Sequence, residues 1–97
     1  MRIGIVGHNK AENCEERLLT LLPSHTTVLV IQADDPLLEE VKSVAHTLRL
    51  PLRHPQGKFT EEADEFLIFW DGEQAGNNRL ASSCIRRGKP TRLLPLK

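Results

Sequence analysis

Apolar residues in this chain fall into short unbroken runs, separated by stretches where they recur every third or fourth position. The runs read as strands. Arg2 to Val6 is apolar on both faces, and Thr26-Thr27-Val28-Leu29-Val30-Ile31 is β-branched and continuous, as strands of a parallel sheet buried on both sides should be. Phe66-Leu67-Ile68-Phe69-Trp70 is the most apolar run and is expected to be central. Leu50-Pro51-Leu52-Arg53 is a weak strand that belongs at an edge, where the proline is tolerated, and Thr91-Arg92-Leu93-Leu94 is the last.

The intervening stretches have helical spacing. One helix is predicted to start near Asn13, capped by that residue with Glu16 three positions on, and to bury Cys14, Leu18, Leu21 and Leu22 before Pro23-Ser24 ends it. Asp35 reads as the N-cap of a second helix, with Pro36 in its first position and Leu37, Val41, Val44, Ala45 and Leu48 as its apolar stripe. Thr60 would cap a single turn. The last helix is expected from about Asn77 to Arg87, with Leu80, Ala81, Cys84 and Ile85 inward and Gly88 just past its end.

Strands alternating with helices at this spacing imply an α/β fold: one domain over residues 1–97, with a five-stranded parallel sheet of order 3-2-1-4-5 and helices on both faces. The first two helices would share one face. The short turn near Thr60 and the final helix would cover the other thinly, which predicts a homodimer.

Composition changes this picture little. The chain carries 13 basic and 13 acidic residues, so bulk charge argues for neither nucleic acid nor a membrane surface. The charges are nonetheless segregated. Arg79, Arg86, Arg87, Lys89, Arg92 and Lys97 lie at one end, while Glu12, Glu15, Glu16, Asp34, Asp35, Glu39 and Glu40 lie in the first half. No aromatic residues interleave with the basic ones, so nucleic-acid stacking is not expected. No apolar run approaches the roughly 20 residues of a membrane span, and the opening run is too short for a signal peptide, so a cytoplasmic protein is expected. Cys14 and Cys84 have no metal-ligand spacing and read as buried apolar side chains.

Candidate chemistry gathers where strands end, because ligands of open α/β sheets bind at the carboxyl edge. Gly7, His8, Asn9 and Lys10 follow the first strand: a glycine that permits close approach, a titratable imidazole and a cation. Asp71 and Gly72 end the central run, and Asp71 would accept from ribose hydroxyls. Gly76, Asn77, Asn78 and Arg79 lead into the last helix, where amides and a guanidinium would meet an anion. Asp34 and Asp35 with Asp71 are the one trio that would attract Mg²⁺. Asp35 reads better as a cap and Asp34 as solvated, so no metal and no cofactor is assigned.

The tract Ala63-Asp64-Glu65-Phe66-Leu67-Ile68-Phe69-Trp70-Asp71-Gly72, continuing through Gly76 to Arg87-Gly88-Lys89-Pro90, resembles the small Rossmann-like domains of the superfamily that includes LOG-type nucleotide hydrolases and DprA proteins. It is most similar to the short, uncharacterised branch. Ile3-Gly4-Ile5-Val6-Gly7-His8 is also similar to that pattern's first strand. The resemblance implies a nucleotide-related ligand held between the first and fourth strand ends. This chain departs from the pattern at Gln32-Ala33-Asp34-Asp35-Pro36, where members carry a glycine-rich loop, and it has Gly76-Asn77 in place of Gly-Thr. It also lacks the hydrolases' Pro-Gly-Gly-x-Gly-Thr-x-x-Glu signature. Three readings follow: a non-catalytic binder of a nucleotide-related molecule, an interaction module with a degenerate pocket, and a nucleotide N-glycosidic hydrolase using Asp71.

Overall fold

The computed structural model of the chain describes residues 1–7, 11–70 and 82–95. Its elements are β1 (Arg2–Gly7), α1 (Cys14–Leu21), β2 (Val28–Ile31), α2 (Leu38–Leu48), β3 (Leu52–Arg53), α3 (Phe59–Glu62), β4 (Glu65–Phe69) and β5 (Thr91–Leu94). Residues 82–86 are also helical. The five strands form one sheet of order β3-β2-β1-β4-β5, and every neighbouring pair is parallel. β1 is fixed against β2 by Ile3↔Leu29 and Ile5↔Ile31, and against β4 by Gly4↔Phe66 and Gly7↔Phe69.

The pleat sends alternate residues to opposite faces, and both faces are packed. Ile3, Ile5, Leu29, Ile31, Leu67 and Phe69 meet Cys14 and Leu18 of α1, and Leu37, Val41, Val44 and Ala45 of the α2 segment. Val6, Val30, Phe66 and Ile68 meet Phe59 and Ala63 at α3, and Cys84 on the last helical segment. This double burial is why the strands are unbroken apolar runs. Gly4 belongs to the second face. A Cβ there would sit 2.7 Å from ring atoms of both Phe59 and Phe66, so the glycine makes room for that aromatic pair, whose centroids are 5.4 Å apart.

Two helices end in the same way. Gly88 (φ +72°) donates to Ile85 O at 3.0 Å and Lys89 donates to Cys84 O at 3.0 Å, the paired bonds of a Schellman motif with the predicted glycine in its left-handed position. At the end of α2, Arg49 (φ +56°) donates to His46 O at 3.2 Å and Leu50 to Ala45 O at 2.9 Å, so an arginine fills the place glycine usually takes.

Several sequence expectations change. Asn13 precedes α1 but lies at φ 53°, ψ 34° and makes no side-chain cap, because a capping residue must be extended for its side chain to reach back to the amides. Leu21 and Leu22 are half-buried, and Leu48 is exposed beyond the edge of the α2 stripe. Thr60 is buried inside α3 and does not cap it; Lys58 holds that position. Ile85 is 65% exposed, since the segment 82–86 turns only Cys84 onto the sheet.

The basic carboxyl-terminal segment is partly engaged within the fold. Lys89 Nζ donates to Thr60 O and to Ala63 O (2.7 Å for the latter), satisfying carbonyls at the end of α3. Arg87 pairs with Glu61 at 3.1 Å. Both sheet margins are short. β3 has two residues and follows Pro51, whose carbonyl accepts from Leu29 at 3.0 Å; β5 has four, between Pro90 and Pro95.

Candidate functional site

The reversal of strand order falls between β1 and β4, and their carboxyl ends lie side by side through the pairs Val6↔Ile68 and Gly7↔Phe69. From here the chain leaves β1 for α1 on one face and reaches, after β4, the segment 82–86 on the other. This divergence opens a crevice in doubly wound folds.

Of the predicted site residues, Gly7 lies among the described ones. Its amide donates to Asp35 Oδ2 at 2.9 Å. The same carboxylate takes the Leu37 amide on Oδ1 at 2.8 Å, so Asp35 ties the end of β1 to the turn that opens α2. Asp35 is therefore not the N-cap of α2 and Pro36 is not its first residue. The helix begins at Leu38 with Leu37 in the cap position, and the Asp35 carboxylate instead closes the preceding turn and reaches across to a neighbouring strand. A donor that a phosphate would use is thereby held by a carboxylate, which also repels anions. His8, Asn9, Lys10, Asp71, Gly72, Gly76, Asn77, Asn78 and Arg79 lie outside the described residues, and so does Asp71's proposed part in hydrolysis or Mg²⁺ binding. Among the described residues, no group of three or more His, Cys, Asp or Glu is placed to hold a metal ion.

The structure adds residues that sequence reasoning missed. Arg17 lies over the end of β4, its guanidinium carbon 4.9 Å from the centroid of the Phe69 ring. Its side chain donates to Glu12 O at 3.4 Å, and it joins no salt bridge among the described residues. Together with Asn13, Glu16, Thr20 and Leu21 it lines a concavity of about 360 Å³ along the flank of α1. No sequence signal announces this, because the contact joins a helix flank to a strand end far along the chain. Among the described residues, the buried indole N–H of Trp70, half-buried just past β4, meets no acceptor, and a buried carboxylate oxygen of Glu40 meets no donor. His54 Nδ1 lies 2.8 Å from Ile31 O. A carbonyl only accepts, so Nδ1 carries the proton and donates it to the end of β2.

Electrostatics distinguish the two thiols. Burial, followed by the Glu40 carboxylate, pushes the Cys14 thiol up to about 11. Burial also raises Cys84, but the Thr91 hydroxyl and the cations of Lys89 and Arg87 oppose the rise. Away from the crevice, Asp64 accepts from the Arg2 amide at 2.8 Å and from its guanidinium, and these bonds hold its carboxyl below the usual range.

Compared with family models, curated proteins and solved structures, the chain finds no match in any of the three. Among the described residues no helix is long and apolar enough to cross a membrane.

Proposed function

We propose that the chain binds a ribose- and phosphate-containing, nucleotide-related molecule at the carboxyl edge of its sheet, between β1 and β4, and performs no chemistry on it. The observation that carries this reading is the pairing Gly7↔Phe69 at the point where strand order reverses. The indole N–H of Trp70, buried without an acceptor among the described residues, supports it, since a buried donor at a strand end costs free energy until an acceptor arrives. Kinship with the LOG- and DprA-containing superfamily is part of the proposal and rests on the tract from Ala63 to Pro90. A cytoplasmic homodimer completes it, favoured by the exposure of the large apolar side chains Ile85 and Leu93.

One observation favours a second reading, an interaction module with a lapsed pocket: Asp35 already occupies the Gly7 amide. Thermal melting against nucleoside mono-, di- and triphosphates separates the two. A ligand that binds only the folded state stabilises it by about 2.7 kcal/mol at a hundred times its Kd. A rise in Tm with at least one ligand is expected, and flat melting curves at millimolar concentrations would leave the interaction module standing. Light scattering at micromolar protein checks the dimer, and a monomer mass would remove it.

A further inference from the structure

We infer that residues 55–63 form a flap over the second face of the sheet, and that the Lys89 side chain is the strap that holds it shut. The device is independent of the ligand proposed above. The flap is pinned at both ends. On one side His54 Nδ1 donates to Ile31 O at 2.8 Å, at the end of β2. On the other, the Asp64 amide donates to Arg2 O at 2.8 Å, and its carboxylate accepts from the Arg2 amide and guanidinium. Between these pins the Glu62 carboxylate accepts from the amides of Gln56 at 3.2 Å and Gly57 at 2.8 Å, which folds the segment back on itself. Its helix, α3, has four residues, and a single turn has no stability of its own once lifted from the sheet. What it lays on the sheet is apolar: Phe59 and Ala63 pack in one cluster with Val30, Phe66, Ile68 and Cys84.

The strap arrives from a distant part of the chain and is itself anchored. The Lys89 amide donates to Cys84 O at 3.0 Å, and the next carbonyl, Pro90 O, accepts from the Phe66 amide of β4 at 3.0 Å. From that fixed base the ammonium donates to Thr60 O and, at 2.7 Å, to Ala63 O. Lifting the flap therefore breaks two charge-assisted bonds at once. The pair of Arg87 and Glu61 at 3.1 Å ties the same turn but is exposed, so it contributes less. A flexible cation on two backbone oxygens is a reversible fastening, and its release uncovers Phe66 and Cys84 without disturbing the helical face.

Maleimide labelling of Cys84, with Cys14 under the helical face as the reference thiol, tests this in the full chain. In the wild type below the unfolding transition, Cys84 labelling is expected to change less than about twofold with urea, the mark of a local opening, while Cys14 labelling rises steeply. Equal urea dependence of the two thiols would make the opening global and overturn the flap. Lys89→Met keeps an apolar stem and removes the strap. It is expected to speed Cys84 labelling by about tenfold or more, together with amide exchange at Glu61, whose N–H is bonded to Lys58 O at 3.0 Å within α3. Burial raises the Cys84 thiol and the Lys89 cation opposes the rise, so loss of the charge alone would slow labelling. Slower labelling in Lys89→Met would thus overturn the strap. Faster labelling with unchanged exchange at Glu61 would overturn it as well, since the segment 82–86 and not the flap would then be moving. Arg87→Gln is expected to change both rates less than about threefold. An effect equal to that of Lys89→Met would move the strap to Arg87 and end the assignment to Lys89.

Discussion

The two faces of the sheet are packed by different means. On one, α1 and the α2 segment lay Cys14, Leu18, Leu37, Val41, Val44 and Ala45 over β1, β2 and β4. On the other, among the described residues, a single helical turn and the segment 82–86 contribute Phe59, Ala63 and Cys84, and the Phe59 and Phe66 rings pack at a tilt of 39°. Lys89 then clamps the end of that turn, with its ammonium on two backbone carbonyls. The close approach of Phe59 and Phe66 to Gly4 and the clamp by Lys89 leave little slack there, so small changes should be felt.

The largest expected effect tests this at Gly4. A methyl group on that residue has no room between Phe59 and Phe66, so Gly4→Ala should destabilise the fold by about 2–3 kcal/mol in urea unfolding. A loss below ~0.5 kcal/mol would mean that the packing around Gly4 yields easily.

A middle-sized effect comes from the two Schellman motifs, one on each side. Gly88→Ala places a side chain at φ +72° and should cost about 1 kcal/mol, whereas Arg49→Gly relieves φ +56° and should stabilise by roughly 0.5–1 kcal/mol. Opposite signs in paired denaturation curves would confirm that backbone strain is stored on the helical side.

The smallest effect concerns the thiols. Cys14 has a folded-state value of about 11, above its ordinary one, so the folded chain holds this proton longer than the unfolded chain does. Its stabilising contribution is complete below the ordinary thiol value and is lost as pH rises from there through about 11. Cys14→Ala should therefore flatten the alkaline fall in Tm. At pH 8, a maleimide should label Cys84, with cations and a hydroxyl beside it, before Cys14. Equal labelling rates would argue against this ordering.

The strands, their order and the helix carrying Val41, Val44 and Ala45 were legible in the sequence, because burial on two faces leaves continuous apolar runs and burial on one leaves a period. Gly88 was legible because a left-handed turn selects glycine. Arg49 was not, since the turn there overrides residue preference. Asp35 looked like a local cap; its bond to Gly7 depends on β1 and β2 already lying together, and no local pattern encodes that. The side-by-side ends of β1 and β4 could be read from topology, whereas Arg17 owes its place to a tertiary contact with Phe69.

The brevity of the outer strands bears on how the molecule behaves in a crowd. A stranger's backbone laid along Thr91–Leu94 would find a few peptide groups and then a proline at either end, with no amide hydrogen to offer. At the opposite side it would find two residues, Leu52 and Arg53. Neither border is long enough to template an added ribbon, so growth into fibrils by strand addition is checked at both sides by the brevity of the strands themselves.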